Sequence, residues 1–262
     1  MTGISGEVLV VTGGGGDIGL ATARRAAGMG ASVALVDIDR AKVEAAAATL
    51  ADDGLKAAGY ACDVIDMGEV DRTLAAITDD LGPVRMLFNN AGYQGRFAMT
   101  SDYPADDFGA VLAVNVQGVF HVLRAAAARM IDAGGGAIVN TASMAGVDGP
   151  PNMIAYAASK SAVIGMTRTA SKDLAPHGIR VNAISPAYMG PGYMWTRQVE
   201  HQAAVGSQYF SADPAEVAEE MISRVPMRRY GSIDEIPGVV TFLLGDDASY
   251  LTGVNIPITG GI

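Results

Sequence analysis

Cysteine is almost absent: Cys62 is the one thiol in 262 residues, so no internal disulfide can staple the fold, and a reducing cytoplasm is the expected compartment. Histidine is nearly as scarce. His121, His177 and His201 stand too far apart for ligand spacing, so no metal site is expected. Basic residues are few as well: 18 Lys and Arg face 28 Asp and Glu, a net charge of −10 with no basic stripe for a phosphate backbone. A nucleic-acid partner is therefore not expected. No apolar run approaches the length of a membrane span, and the first residues lack the charged-then-apolar order of a secretion signal, so no membrane partner is expected. Linkers, low-complexity tracts and repeats beyond strand–helix alternation are missing too, which predicts one domain over residues 1–262.

What is plentiful is apolar and small. Half the residues are hydrophobic, 18% are charged and 33 are glycine, a balance that suits a sheet buried on both faces and joined to its helices by tight turns. Glu7 to Thr12 reads as a strand, Gly13 to Gly19 as a glycine loop and Leu20 to Met29 as a helix. Strands at 32–37, 57–62 and 84–88 then alternate with helices at 40–53 and 67–81. A long helix covers 105–131, strands follow at 138–143 and 179–184, and a helix at 232–244 with a strand at 254–257 closes the chain. This alternation predicts an α/β fold: a single-domain, doubly wound parallel sheet of Rossmann type, about seven strands, with helices on both faces. Residues 187–225 are irregular with two short helical patterns, and so long an excursion reads as a substrate-binding loop region.

The candidate functional residues sit where strands end. Between a strand and a helix, the glycines of 13–19 let backbone approach a pyrophosphate while free helix N–H groups bind it. Asp37 ends the second strand 24 residues after Gly13, close to the spacing for a carboxylate that binds the adenosine ribose 2′-hydroxyl and repels a 2′-phosphate. With no Arg or Lys in the glycine loop, NAD is expected rather than NADP; Arg40 either weakens that reading or is simply solvated. Asp63, just past the third strand, either contacts adenine or caps a helix. Asn115 interrupts an apolar helix, which fits a held water, a backbone kink or a buried structural hydrogen bond. Tyr156 and Lys160 are four apart in a helical stretch and share a face. For that phenol to act as a base near neutrality its pKa must fall by roughly three units, about 4 kcal/mol, and a neighbouring cation supplies part of this. Ser143 lies 13 residues upstream, at a strand end where its hydroxyl can bind a substrate oxygen. Taken alone, the Tyr/Lys pair is better read as a core-edge Tyr and a solvated Lys.

Taken together and in this order, these residues resemble the short-chain dehydrogenase/reductase family over nearly the whole chain. The likeness rests on Thr12 to Gly19, on Asn89-Asn90-Ala91-Gly92, and on Asn115, Ser143, Tyr156 and Lys160. It implies reversible hydride transfer between NAD and a hydroxyl or carbonyl carbon. Tyr156 would exchange the alcohol proton, Ser143 hold the substrate oxygen, Lys160 bind the nicotinamide ribose and lower the tyrosine pKa, and Asn115 order a water linking Lys160 to solvent. It also implies cofactor contacts from Gly13, Gly16, Asp17, Ile18, Gly19, Asp37, Asp63, Val64, Asn89, Ala91, Gly92, Tyr156, Lys160, Pro186, Ala187 and Met189, and a homotetramer. Asp17 and Ala187 stand where the family has glycine, and Asp17 is expected to turn away from the pyrophosphate. Stretches 88–95, 141–146, 149–153, 188–192 and 225–231 are similar to those of bacterial NAD-dependent polyol dehydrogenases, xylitol dehydrogenases among them. A polyol substrate follows from that likeness, with a ketone, as for 3-oxoacyl-type reductases, as the alternative and a non-catalytic NAD sensor as the rival outside the enzymes. Gln94, Asn152 and Tyr188 would bind its hydroxyls, and Met144, Met153, Met189 and Trp195 would form walls.

Overall fold

A computed structural model describes residues 3–262. All five residues of β1 (Val8–Thr12) are buried, so the strand must have protein on both faces and lies inside the sheet. The chain then alternates through α1 (Asp17–Gly28), β2 (Ser32–Asp37), α2 (Arg40–Asp52), β3 (Ala57–Ala61), α3 (Met67–Leu81) and β4 (Val84–Asn89). Next come α4 (Ala105–Leu112), a π-helical turn (Ala113–Gly118), α5 (Val119–Asp132), β5 (Gly136–Thr141), short α6 (Ala145–Asp148), long α7 (Ile154–Leu174) and β6 (Ile179–Pro186). The remainder supplies β7 (Met189–Gly190), α8 (Tyr193–Ala204), α9 (Pro214–Ser223), β8 (Gly231–Ser232), α10 (Ile236–Leu244) and β9 (Asn255–Ile258).

Seven strands form one parallel sheet in the order β3-β2-β1-β4-β5-β6-β9. The direction of winding reverses between β1 and β4, and the crevice beyond the carboxyl ends of those strands is where such sheets bind ligands. Alternation along the strands feeds two cores. Leu9 and Val11 pack with Ala23 and Ala26 of α1 and with Val240 and Leu243 of α10; Val8 and Val10 pack on the other face with Val70 and Leu74 of α3 and Val122 of α5. Truncating a wholly buried residue such as Leu9 to Ala costs about 2–5 kcal/mol. Asp39 and Asp66 cap α2 and α3, but α1 begins after Gly16 with no side-chain cap, which leaves its first N–H groups for a ligand.

Several boundaries differ from the sequence expectation, among them the following three. Helix α1 starts at Asp17 rather than Leu20, because the glycine loop is a single tight turn. Ser143 lies two residues beyond the end of β5. Ser232 pairs in β8 and forms a capping box with Glu235, so α10 proper begins at Ile236. One expectation is corrected: the 28 residues Ala105–Asp132 do match a membrane span in length and apolar character. About half of that stretch's most apolar window is buried, and α5 contributes Val122, Leu123, Ala125, Ala126 and Met130 to the core.

Residues 187–225 leave the sheet. Helices α8 and α9 pack on each other through Val199, Ala203, Val217 and Met221 and roof the carboxyl ends of β5 and β6.

Candidate active site

The glycine loop is drawn tight by its own backbone. Gly16 donates to the Gly13 carbonyl at 3.1 Å, Gly13 has φ +64°, and a Cβ at Gly19 would come within 2.2 Å of the Gly13 oxygen. Only glycine fits there, so the turn and the uncapped start of α1 make a cradle suited to a pyrophosphate. Gly15 N donates to Asp37 Oδ2 at 3.1 Å and Asp39 N to Oδ1 at 3.2 Å, which fixes the Asp37 carboxylate beside the loop. Arg40 turns to Glu44 at 3.2 Å. Asp17 faces Gly192, the residue before α8: a Cβ there would meet its Oδ2 at 2.9 Å. Asp63 accepts from Ile65 N at 3.0 Å, while Asp66 is the residue that caps α3. Val64 borders the π-helical turn, where a Cβ at Gly118 would strike its Cγ2 at 2.7 Å.

Side chains at the end of β4 stitch three strand ends together. Thr12 Oγ1 donates to Asn89 Oδ1 and accepts from the backbone of Asn90 and Ala91; Thr141 Oγ1 donates to Asn90 Oδ1 at 3.1 Å. Asn89 Nδ2 donates to Val119 O at 2.9 Å, so its amide is spent inside the protein. Asn115 sits in the π-helical turn, wholly buried. Its Oδ1 accepts from Tyr93 N at 2.7 Å, and its Nδ2 donates to Tyr93 O at 2.8 Å and Ser159 Oγ at 2.9 Å. Both amide hydrogens are thereby used while Oδ1 keeps a second lone pair, and the three bonds hold the segment after β4 against α7. A Cβ on Gly92 would lie 3.4 Å from Asn115 Oδ1 and 3.5 Å from Lys160 Nζ, so Gly92, Asn115 and Lys160 adjoin.

Tyr156 and Lys160 face the same way on α7. Lys160 Nζ stands 5.6 Å from the Tyr156 ring centre and donates to Thr141 O at 2.7 Å, at the end of β5. Ser143 Oγ accepts from Ala145 N at 3.1 Å, which starts α6 and aims the hydroxyl at the cleft that Tyr156 also borders. Burial pushes the Tyr156 phenol up to about 12, and the neighbouring Ser143 hydroxyl pulls it back only in part. Burial likewise pulls the Lys160 ammonium down to about 8. The expected lowering of the tyrosine by Lys160 does not show in the polypeptide alone: burial is the larger influence on the phenol and the Ser143 hydroxyl the one that opposes it.

Ser143 and Tyr156 share the cleft with Ile18, Pro186, Ala187, Met189, Gln94, Met144, Met153 and Tyr188. Two expected substrate residues lie elsewhere. Asn152, at φ +69°, donates to Gln202 Oε1 at 2.8 Å and Ser207 Oγ at 3.0 Å, so its amide binds the roof rather than the cleft. Trp195 stacks behind the wall, 6.0 Å from Tyr188 and 5.3 Å from Tyr230. The cleft also contains Met194, Gln198, Gln202, Phe210 and Met221, which carried no local signal because only the folding of α8, α9 and the segment between them over the sheet brings them in, together with Asp148 of α6 and Ile262.

The pattern of the family described as short chain dehydrogenase matches residues 7–203. The crystal structure of an NAD+-bound xylitol dehydrogenase is 60% identical with a TM-score of 0.97, over 98% of this chain and 99% of that one. Levodione reductase of Leifsonia aquatica is 38% identical, over 99% of this chain and 95% of the relative. A 2-(S)-hydroxypropyl-CoM dehydrogenase of Xanthobacter autotrophicus is 35% identical, over 99% and 97% respectively.

Proposed function

The chain belongs to the short-chain dehydrogenase family, and from that premise we propose that it oxidises a secondary alcohol of a polyol such as xylitol to the ketose, with NAD as hydride acceptor. The observation that carries this reading is the shared cleft of Ser143 and Tyr156, backed by Lys160 and lined by no Lys or Arg among the described residues. A neutral, hydroxylated substrate fits such a lining; an anionic carrier-bound acyl group finds no cation there.

Tyr156, as phenolate, takes the hydroxyl proton as the carbinol C–H electron pair leaves as hydride and the C–O bond becomes a carbonyl; Ser143 Oγ holds that oxygen. Bound NAD supplies the ring that accepts the hydride and, when oxidised, a positive charge that favours the phenolate. Lys160 adds its own charge and binds the nicotinamide ribose, Asn115 keeps Lys160 in place through Ser159 and the segment after β4, and residues 187–225 close over the substrate. Gly13, Gly16, Gly19 and the start of α1 hold the pyrophosphate, and Asp37 holds the adenosine ribose.

Copies of the chain assemble as a homotetramer in the cytoplasm on this reading. The apolar groove of α5 and α7, with Phe120, Leu123, Ile131 and Met166, supports the assembly, and the free thiol of Cys62 suits a reducing compartment.

The second reading, a ketone or 3-oxoacyl-type reductase, is favoured by the methionines at 144, 153, 189, 194 and 221, which give the cleft an adaptable apolar wall. A panel of five- and six-carbon polyols with NAD, set against acyl ketones with NADH, separates the two. Turnover of at least one polyol is expected; none, alongside brisk acyl-ketone reduction, would overturn the first reading.

A further inference from the structure

We infer that Gln94 recognises a second, non-reacting hydroxyl of the substrate and so sets a preference for polyols over simple secondary alcohols; the inference rests on the polyol reading above. Gln94 is only 6% exposed, borders the cleft shared by Ser143 and Tyr156, and its Oε1 is buried without a hydrogen-bond partner. Proteins rarely leave such an atom bare, because it forfeits the hydrogen bonds it made in water. Among the described residues the other bare buried side-chain atoms belong to Thr22, Arg85 and Asn140, none of which borders the cleft.

The backbone around Gln94 is held rigidly. Asp107, 8% exposed, accepts from Tyr93 Oη at 2.9 Å, Tyr103 Oη at 2.6 Å and Arg96 N at 2.7 Å, on both sides of Gln94. Arg197 Nη2 of α8 donates to Gly95 O at 3.0 Å. Gly95 itself, at φ +72°, has no room for a side chain: a Cβ would strike Val111 at 2.4 Å and Asp107 Oδ2 at 2.9 Å. A loop so fixed cannot swing the amide into bulk water, so the bare atom is built in. The amide borders the cleft, so a polar group bound there is the partner we assign to it. A hydroxyl both donates and accepts, so the pairing holds whichever way the amide is turned. In a monohydric alcohol the sole hydroxyl is engaged by Ser143 and Tyr156; a polyol brings others.

The test compares kcat/KM for xylitol and for 2-pentanol, both five-carbon, in the wild type, Gln94→Leu and Gln94→Glu, with melting temperature as the folding control. The xylitol to 2-pentanol ratio should fall roughly tenfold or more in Gln94→Leu, chiefly through the KM for xylitol, and should recover in Gln94→Glu, which keeps an acceptor. Because Leu removes an unpaired polar atom, its melting temperature should hold or rise; should Leu not fold, Gln94→Met gives the same readout. A ratio within about twofold of wild type, with xylitol still oxidised by the wild type, overturns the role of Gln94 alone. A wild type that oxidises 2-pentanol but no polyol overturns both this inference and the polyol reading. Equal losses on both substrates with a lowered melting temperature would make Gln94 a packing residue and also overturn it.

Discussion

The backbone N–H of Gly15 donates to Asp37 Oδ2 over 3.1 Å, so the glycine loop and the end of β2 are joined through one carboxylate. On the proposed cofactor reading, that carboxylate stands where a 2′-phosphate would have to sit. Replacing Asp37 by Ser should narrow the preference for NAD over NADP by roughly tenfold or more, about 1.4 kcal/mol or above. Lys42 strengthens the expectation, since a Cβ at Gly15 would lie 3.0 Å from its Cγ and the ammonium beyond can meet a phosphate once the acid is gone. The check is the ratio of kcat/KM for the two cofactors; an unchanged ratio refutes the role of Asp37.

Tyr156→Phe keeps the ring that packs beside Lys160 and removes the hydroxyl proposed to carry the proton. Turnover should fall by a factor on the order of 10² to 10⁴, with the dissociation constant for NAD nearly unchanged. Stopped-assay kinetics and calorimetric NAD binding test this together, and turnover indifferent to the substitution would favour the sensor over the enzyme.

Asn152 ties the approach to α7 to the roof. It lies in the left-handed region that Asn tolerates, accepts at its carbonyl from Ala98 N at 3.0 Å, and donates to Gln202 and Ser207. Asn152→Ala should cost about 1–3 kcal/mol of stability by stranding the buried Gln202 oxygen. It should also raise KM more than it lowers kcat, because α8 loses an anchor. Denaturant melts and steady-state kinetics measure both effects, and unchanged values would show the tie to be idle.

Acid sensitivity should centre on Asp107. Burial pushes its carboxyl up, but donation from Tyr103, the Arg96 amide and Tyr93, with the Arg96 charge, holds it below the ordinary carboxylate value. A lowered folded-state pKa means that the native state favours the charged form. The stability it contributes is therefore complete above about pH 4 and lost as pH falls through the folded value. Asp107→Asn should lower stability at neutral pH by about 1–3 kcal/mol and flatten the fall below pH 4. Melting curves from pH 3 to pH 7 test it; an acid limb of unchanged slope would contradict it.

The layered architecture was legible because Val8 to Thr12 cannot be solvated, and because i,i+4 spacing alone puts Tyr156 and Lys160 on one face. Asn115 was legible as an oddity in an apolar helix, but not its answer, since its partners Tyr93 and Ser159 lie 22 and 44 residues away. Asn152 illustrates the limit best. A polar side chain near the site looked like a substrate ligand, yet its amide goes to Gln202 and Ser207, 50 and 55 residues on, which meet it only once α8 has folded back. The pKa of Tyr156 also needed coordinates: spacing reveals the cation, whereas the opposing desolvation depends on how deeply the phenol is packed.

On the proposed reading, Tyr156 becomes the proton acceptor only when the charge of oxidised nicotinamide joins that of Lys160. Ultraviolet difference titration of tyrosinate in the NAD-bound wild type, with NAD-bound Tyr156→Phe as the blank, tests this directly. One phenol should ionise far below about 12, in step with the pH at which alcohol oxidation accelerates. A phenol that still ionises near 12 with NAD bound, while oxidation proceeds at neutral pH, would contradict the account.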